Sequence, residues 1–189
     1  YLGENMYLWL AAFIYMLFIS LVSLIAVLPT VSTNRLWGEI AGDFVVNQRS
    51  LIPVYTWGLV MPVRVIQNYY PLAAFMYTFI TGWLSIVFIG KLMYLLNLKI
   101  GKKTIGISAA VFFIMLDPVA VYFTNFKQYG LFYVSPINWS SLENINTVSG
   151  YPHLSGEYMF TMYIILIGVE SLLSLSLIHI SEPTRLQLI

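Results

Sequence analysis

The chain has 189 residues, of which 59% are hydrophobic and only 9% are charged, and its formal net charge is +1. A soluble domain carries about 25% charged residues, so this composition excludes an ordinary water-soluble fold. Cysteine is absent, which excludes disulfides, thiolate metal sites and cysteine nucleophiles. The small net charge gives no reason to expect a nucleic-acid partner.

Four apolar segments, each long enough or nearly long enough to cross a bilayer, follow one another along the chain. They cover residues 6–28, 71–97, 104–123 and 158–174. A hydrocarbon core of about 30 Å needs about 20 helical residues, and in lipid each backbone polar group needs a partner within the chain. The sequence therefore predicts an all-α polytopic transmembrane protein with at least four spans, in a single domain over residues 1–174.

The first connection, residues 29–70, contains two acids and an apolar segment. Glu39 and Asp43 are four residues apart, which places both on one face if the segment is helical. They form either a catalytic or metal-binding carboxylate pair or part of a solvated loop, and we favour the loop. The apolar segment 50–63 is short and contains two prolines, so we expect an interfacial or re-entrant helix there.

The short connection 97–103 between the second and third spans is rich in lysine. Basic residues near span ends are retained on the cytoplasmic side, so we expect this turn inside and the loops 29–70 and 124–157 outside. The lysines in and around the turn are Lys91, Lys99, Lys102 and Lys103.

Two acids fall inside the later spans. Asp117 precedes Pro118 in the third span, and a carboxylate in a bilayer costs at least ~2.5 kcal/mol. It either lines a substrate pathway or gate or marks the hydrated outer end of the helix, and we favour the helix end. Glu170, in the fourth span, either pairs with a lysine near the cytoplasmic end or lies among lipid headgroups.

The second outer loop contains the segment 135–145, in which Ser140 or Ser141 is a candidate cap for a short helix under the outer leaflet. No Ser-His-Asp arrangement, glycine-rich phosphate loop or metal-ligand cluster is recognisable in the sequence. We therefore expect no catalytic site, cofactor or metal in this chain.

The C-terminal segment 175–189 has an unusual origin on sequence grounds. Leu175–Arg185 reads LSLIHISEPTR, which resembles one translated frame of a transposase sequencing adapter. We expect this segment not to be native and the fourth span to be cut short near Ser174. Because the chain also begins at Tyr1, we expect a fragment, and four is then a lower bound on the spans.

Taken in order, several segments make the chain resemble the membrane subunit of a bacterial type-2 ABC transporter permease. These segments are TNRLWGEIAGDF (33–44), PLAAFMYTF (71–79), LLNLKIGKKTIGI (95–107) and SPINWSSL (135–142).

The resemblance implies six spans, of which the visible ones are the third to sixth. It implies a location in the bacterial cytoplasmic membrane, in contact with lipid. It also implies a separate ATP-binding-cassette ATPase subunit and a homo- or heterodimer of permease subunits that moves substrate outward. Trp139 is then an outer-gate candidate, and Asp117 and Glu170 are pathway candidates.

A second resemblance is to membrane glycosyltransferases of the GT-C fold, which use an acid in the first outer loop against a lipid-linked sugar. Asp43 or Glu39 would be the base, and segment 116–131 would correspond to a later part of that fold. Asp43 lacks the neighbouring acid that is common in that family. A membrane scaffold without either activity is the third interpretation.

Overall fold

The computed structural model describes residues 2–27, 69–101, 103–122, 131–140 and 156–186, and every regular element within them is helical. The prediction of an all-α fold is confirmed for these residues. Two 3-10 turns, Leu131–Val134 and Asn138–Ser140, lie between the last two long helices. The long helices are α1 (Leu2–Val27), α2 (Pro71–Ile100), α3 (Lys103–Tyr122) and α4 (Gly156–Leu186).

Three of these helices are long and apolar enough to cross a membrane. The qualifying segments are Gly3–Ile25, Pro71–Ile100 and Gly156–His179. The described apolar part of α3, Thr104–Leu116, is shorter than a span requires. The structure therefore supports three spans where the sequence predicts at least four, and a crossing by α3 stays a prediction.

Helix α4 begins at Gly156, two residues before the predicted span, and continues to Leu186. The segment that resembles an adapter is therefore helical as far as Leu186. That the residues after Ser174 are not native stays a prediction. The apolar segment 50–63, for which the sequence predicts an interfacial or re-entrant helix, lies outside the described residues.

Local sequence explains both ends of α2. Pro71 occupies the first turn, where its fixed φ suits the helix and its missing N–H would have no partner in any case. At the other end Gly101 adopts φ 70°, and its N–H donates a 2.9 Å hydrogen bond to the Asn97 carbonyl. Glycine adopts this left-handed conformation without steric cost, so α2 ends there and α3 begins two residues later.

Helices α2 and α3 approach closely beside this turn. The Asn97 Oδ1 accepts a 3.2 Å hydrogen bond from the Gly106 N–H. A Cβ at position 106 would lie 2.6 Å from the Asn97 Oδ1 and 2.7 Å from the Met93 carbonyl oxygen. Only glycine fits without a shift, as is common where membrane helices pack backbone to backbone. The two helices therefore form a tight antiparallel hairpin.

Helix α1 packs antiparallel to α2. The Tyr94 hydroxyl, near the end of α2, donates a 2.8 Å hydrogen bond to Glu4 Oε2, near the start of α1. Further along, the Trp9 and Trp83 rings meet edge to face at 5.3 Å, and the Trp83 Nε1 donates to the Trp9 carbonyl. The two helices therefore run in opposite directions.

Helix α4 instead packs parallel to α2. Near the starts of both helices, the Tyr77 and Phe160 rings meet edge to face at 5.7 Å. Further along both, the Lys91 Nζ donates a hydrogen bond to the Ser171 Oγ. The bundle therefore has two ends, a loop end with the starts of α2 and α4 and a turn end with the α2–α3 turn.

The buried core surrounds α2 and includes the second 3-10 turn. At the loop end the Tyr163 hydroxyl donates to the Pro136 carbonyl, and the Tyr158 hydroxyl donates a 2.9 Å hydrogen bond to the Tyr133 carbonyl. These bonds attach the 3-10 turns to α4. The buried apolar cluster comprises Ala12, Val87, Phe88, Trp139, Met159, Tyr163 and Ile167.

Large apolar side chains cover the outer faces of α1 and α3. Leu10, Ile14 and Phe18 on α1 are exposed by 55% or more of their surface. Such a continuous apolar surface is unfavourable in water but suits contact with lipid tails.

Candidate functional site

A cavity of about 500 Å³ lies between α1, α2 and α4 at the turn end. Apolar atoms make up most of its lining surface, but polar side chains from all three helices also border it. These polar side chains are Glu4, Asn5, Tyr7, Lys91, Tyr94, Asn97 and Ser174.

Lys91 connects this cavity to the α2–α4 interface. Although it lines the cavity, its side chain is only 5% exposed. Its Nζ donates a 2.6 Å hydrogen bond to the Ser171 Oγ, and that hydroxyl in turn donates to the Ile167 carbonyl. By its position in the sequence, Lys91 belongs with the lysines in and around the turn. The structure instead places it inside the bundle, whereas Lys99 is exposed.

Glu170 is buried on α4 beside this lysine. It is 5% exposed, and neither carboxylate oxygen has a hydrogen-bond partner among the described residues. The charge that acts on it is that of Lys91. Lys91 lies on a neighbouring helix and neither Glu170 oxygen accepts a hydrogen bond from it, so the predicted pairing of Glu170 with a lysine stays a prediction. A buried carboxylate without donors is uncommon in proteins and calls for an explanation.

Ser174 lies one helical turn after Glu170 and lines the cavity. Its hydroxyl is buried and donates a 2.8 Å hydrogen bond to the Glu170 carbonyl. Lys91, Glu170, Ser171 and Ser174 thus form one polar cluster between α2 and α4. Its position next to the cavity makes this polar cluster the best candidate for function among the described residues.

The other predicted site residues do not join the polar cluster. Trp139 is 1% exposed in the core at the loop end, with edge-to-face contacts to Tyr158 and Tyr163 at 6.0 and 5.4 Å between ring centres. Asp117 lies within α3, but its side chain is outside the described residues. Glu39 and Asp43 lie outside the described residues altogether.

Sequence reasoning singled out Glu170 but missed the serines and the inward direction of Lys91. The spacing Glu170-Ser171-x-x-Ser174 contains the available signal, because positions four apart share a helix face. Within the described residues, no three His, Asp or Glu side chains come together in a way that could hold a metal ion.

The architecture defines an α-helical membrane protein with a polar cluster buried between two of its spans. No protein-family model, curated protein or solved structure matches this chain.

Proposed function

We propose that this chain is the membrane-spanning permease subunit of an ATP-binding-cassette exporter in a bacterial cytoplasmic membrane. The relative directions of the helices are the observation that carries the proposal. Helices α1 and α3 run antiparallel to α2, and α4 runs parallel to it. The helix ends next to the connections 29–70 and 124–157 therefore all lie at the loop end. The resemblance to type-2 permeases also implies short helices before the final span, and the 3-10 turns Leu131–Val134 and Asn138–Ser140 precede α4.

In this proposal α3 crosses the membrane as α1, α2 and α4 do. The turn end, with Lys99 and the neighbouring lysines, faces the cytoplasm, because basic residues at span ends are retained there. The loop end faces outward. The cavity then opens near the cytoplasmic side, where a substrate for export would enter.

In this proposal, transport requires partner subunits as well as this chain. A separate ATPase subunit hydrolyses ATP, and two permease subunits move against each other to carry substrate outward. The polar cluster supplies the charged part of the path through Lys91 and Glu170. Asp117 stays a pathway candidate, and Trp139 holds the outer loop against α4.

The full chain, affinity-tagged and purified from its host in mild detergent, tests the proposal. We expect a subunit with a nucleotide-binding loop to copurify, and the assembly in nanodiscs to hydrolyse ATP. Lys91→Met is expected to change the ATPase rate by severalfold, whereas the exposed-site control Lys99→Met leaves it unchanged. Purification without an ATPase subunit, and without ATP hydrolysis, would overturn the proposal.

Asp43→Ala separates this function from the glycosyltransferase interpretation. The permease function predicts normal copurification and ATPase activity in this variant. Loss of a sugar-transfer activity in Asp43→Ala or Glu39→Ala, with the polar cluster intact, would favour the enzyme instead.

A further inference from the structure

We propose that Glu170 is a membrane-embedded proton-binding site that exchanges with the cavity at the turn end. The site consists of the Glu170 carboxyl group and its neighbours Lys91, Ser171 and Ser174. This inference concerns the chain alone and does not depend on an ATPase partner.

The hydrogen bonds of the polar cluster favour a protonated Glu170 carboxyl group. The Lys91 Nζ donates to the Ser171 Oγ, while both serine hydroxyls donate to backbone carbonyls of α4. None of these donors reaches the Glu170 oxygens, both of which are buried. An ionised carboxylate there would lose its hydration without gaining hydrogen bonds, and neutralisation by a proton removes that cost.

The polar cluster favours a proton over a metal cation. Metal ions such as Na⁺ and Ca²⁺ require several oxygen ligands arranged around them. Here the Ser171 oxygen already accepts from a lysine, and the positive charge of Lys91 acts on Glu170 directly. A second fixed cation at this place would be repelled, whereas a covalently bound proton leaves the carboxyl group neutral.

Access to Glu170 runs through its neighbours. Glu170 does not itself line the cavity, but Lys91 and Ser174, which adjoin it, do. Other titratable side chains at the cavity are Glu4 and Tyr7 on α1 and Tyr94 on α2, and Glu4 accepts the Tyr94 hydrogen bond. On protonation the carboxylate gains one O–H bond and loses its negative charge, so the positive charge of Lys91 is no longer balanced.

Infrared spectroscopy of the full chain in lipid nanodiscs tests this site directly. A protonated carboxyl group has a C=O stretch that ionised carboxylates lack, and deuterium exchange shifts it. Exposed glutamates ionise at about pH 4.3 and therefore lack this band at neutral pH. We expect the band of Glu170 to persist there. The band should be absent in Glu170→Gln and retained in Glu157→Gln, whose parent residue is exposed on the same helix.

A second variant keeps the proposal testable if Glu170→Gln does not fold. Lys91→Met removes the charge that favours ionised Glu170, so its band should persist to higher pH than in wild type. Lys99→Met should leave the titration unchanged. The proposal is overturned if wild type lacks the band at neutral pH, if Glu170→Gln retains it, or if Lys91→Met does not move its midpoint. Displacement of the band by Na⁺ at constant pH would instead identify a metal-cation site.

Discussion

Lys91 and Ser171 are 80 residues apart in the chain, yet the lysine Nζ lies 2.6 Å from the serine Oγ inside the helix bundle. This hydrogen bond joins the two parallel helices α2 and α4. It also positions the lysine charge beside Glu170. The α2–α4 interface is therefore both polar and charged, although both helices are predominantly apolar.

Replacement of Lys91 by methionine should destabilise the bundle. The change removes a charge-assisted hydrogen bond but preserves the length of the side chain, and we expect a loss of about 1–2 kcal/mol. Lys99→Met, at an exposed position on the same helix, should stay within about 0.5 kcal/mol of wild type. Unfolding by denaturing detergent, followed by circular dichroism, measures both. Equal stability of the two variants would mean that the Lys91–Ser171 bond contributes nothing measurable.

Alanine at position 106 should separate α2 from α3. Its Cβ would lie 2.7 Å from the Met93 carbonyl oxygen, a backbone atom that cannot rotate away. We expect destabilisation by about 1–3 kcal/mol. Gly168→Ala is the matched control, because nothing lies within 4 Å of its new Cβ. That control should be neutral or slightly stabilising, since alanine favours the helix by up to about 1 kcal/mol. Thermal unfolding in detergent compares the two, and a stable Gly106→Ala would contradict the close approach.

Truncation of Trp139 should cost more than removal of an exposed aromatic ring. Trp139 is 1% exposed and packs on two tyrosines of α4, so Trp139→Ala should lose about 3–5 kcal/mol. Tyr15→Ala on α1 is the control, because Tyr15 is 57% exposed. Trp139→Phe should retain part of the stability. A Trp139→Ala variant that unfolds like wild type but leaks small solutes would identify a gate residue instead of a packing residue.

Single cysteines should react from opposite sides of the membrane. These 189 residues contain no cysteine, so within them each introduced thiol is the only target. Val134 is 65% exposed in a 3-10 turn at the loop end, and Lys99 is exposed at the turn end. We expect a membrane-impermeant maleimide to label Val134→Cys in intact cells and Lys99→Cys only after lysis. The reverse pattern would invert the proposed topology.

Hydropathy predicted the helices well because it depends only on composition and length. The start of α2 at Pro71 and its end beside Gly101 follow from local backbone chemistry that the sequence shows directly. The described apolar part of α3, Thr104–Leu116, is shorter than a span, so the crossing predicted there from hydropathy stays a prediction.

The polar cluster was harder to predict because it depends on which helix faces meet. Sequence position places Lys91 near a lysine-rich turn, and nothing local indicates that its side chain points toward α4. Trp139 is a similar case, since interfacial and buried tryptophans have the same local sequence. The parallel packing of α2 and α4 determines the surroundings of both side chains. That packing depends on the whole bundle.

The length of α2 has a consequence for the surrounding bilayer. Its 30 residues correspond to about 45 Å of helix, whereas the hydrocarbon layer is about 30 Å thick. The surplus must be accommodated by tilt or by protrusion beyond the headgroups. Because α2 contacts every other long helix, a change in its inclination alters the whole assembly, and the protein should respond to the acyl-chain length of its host lipid.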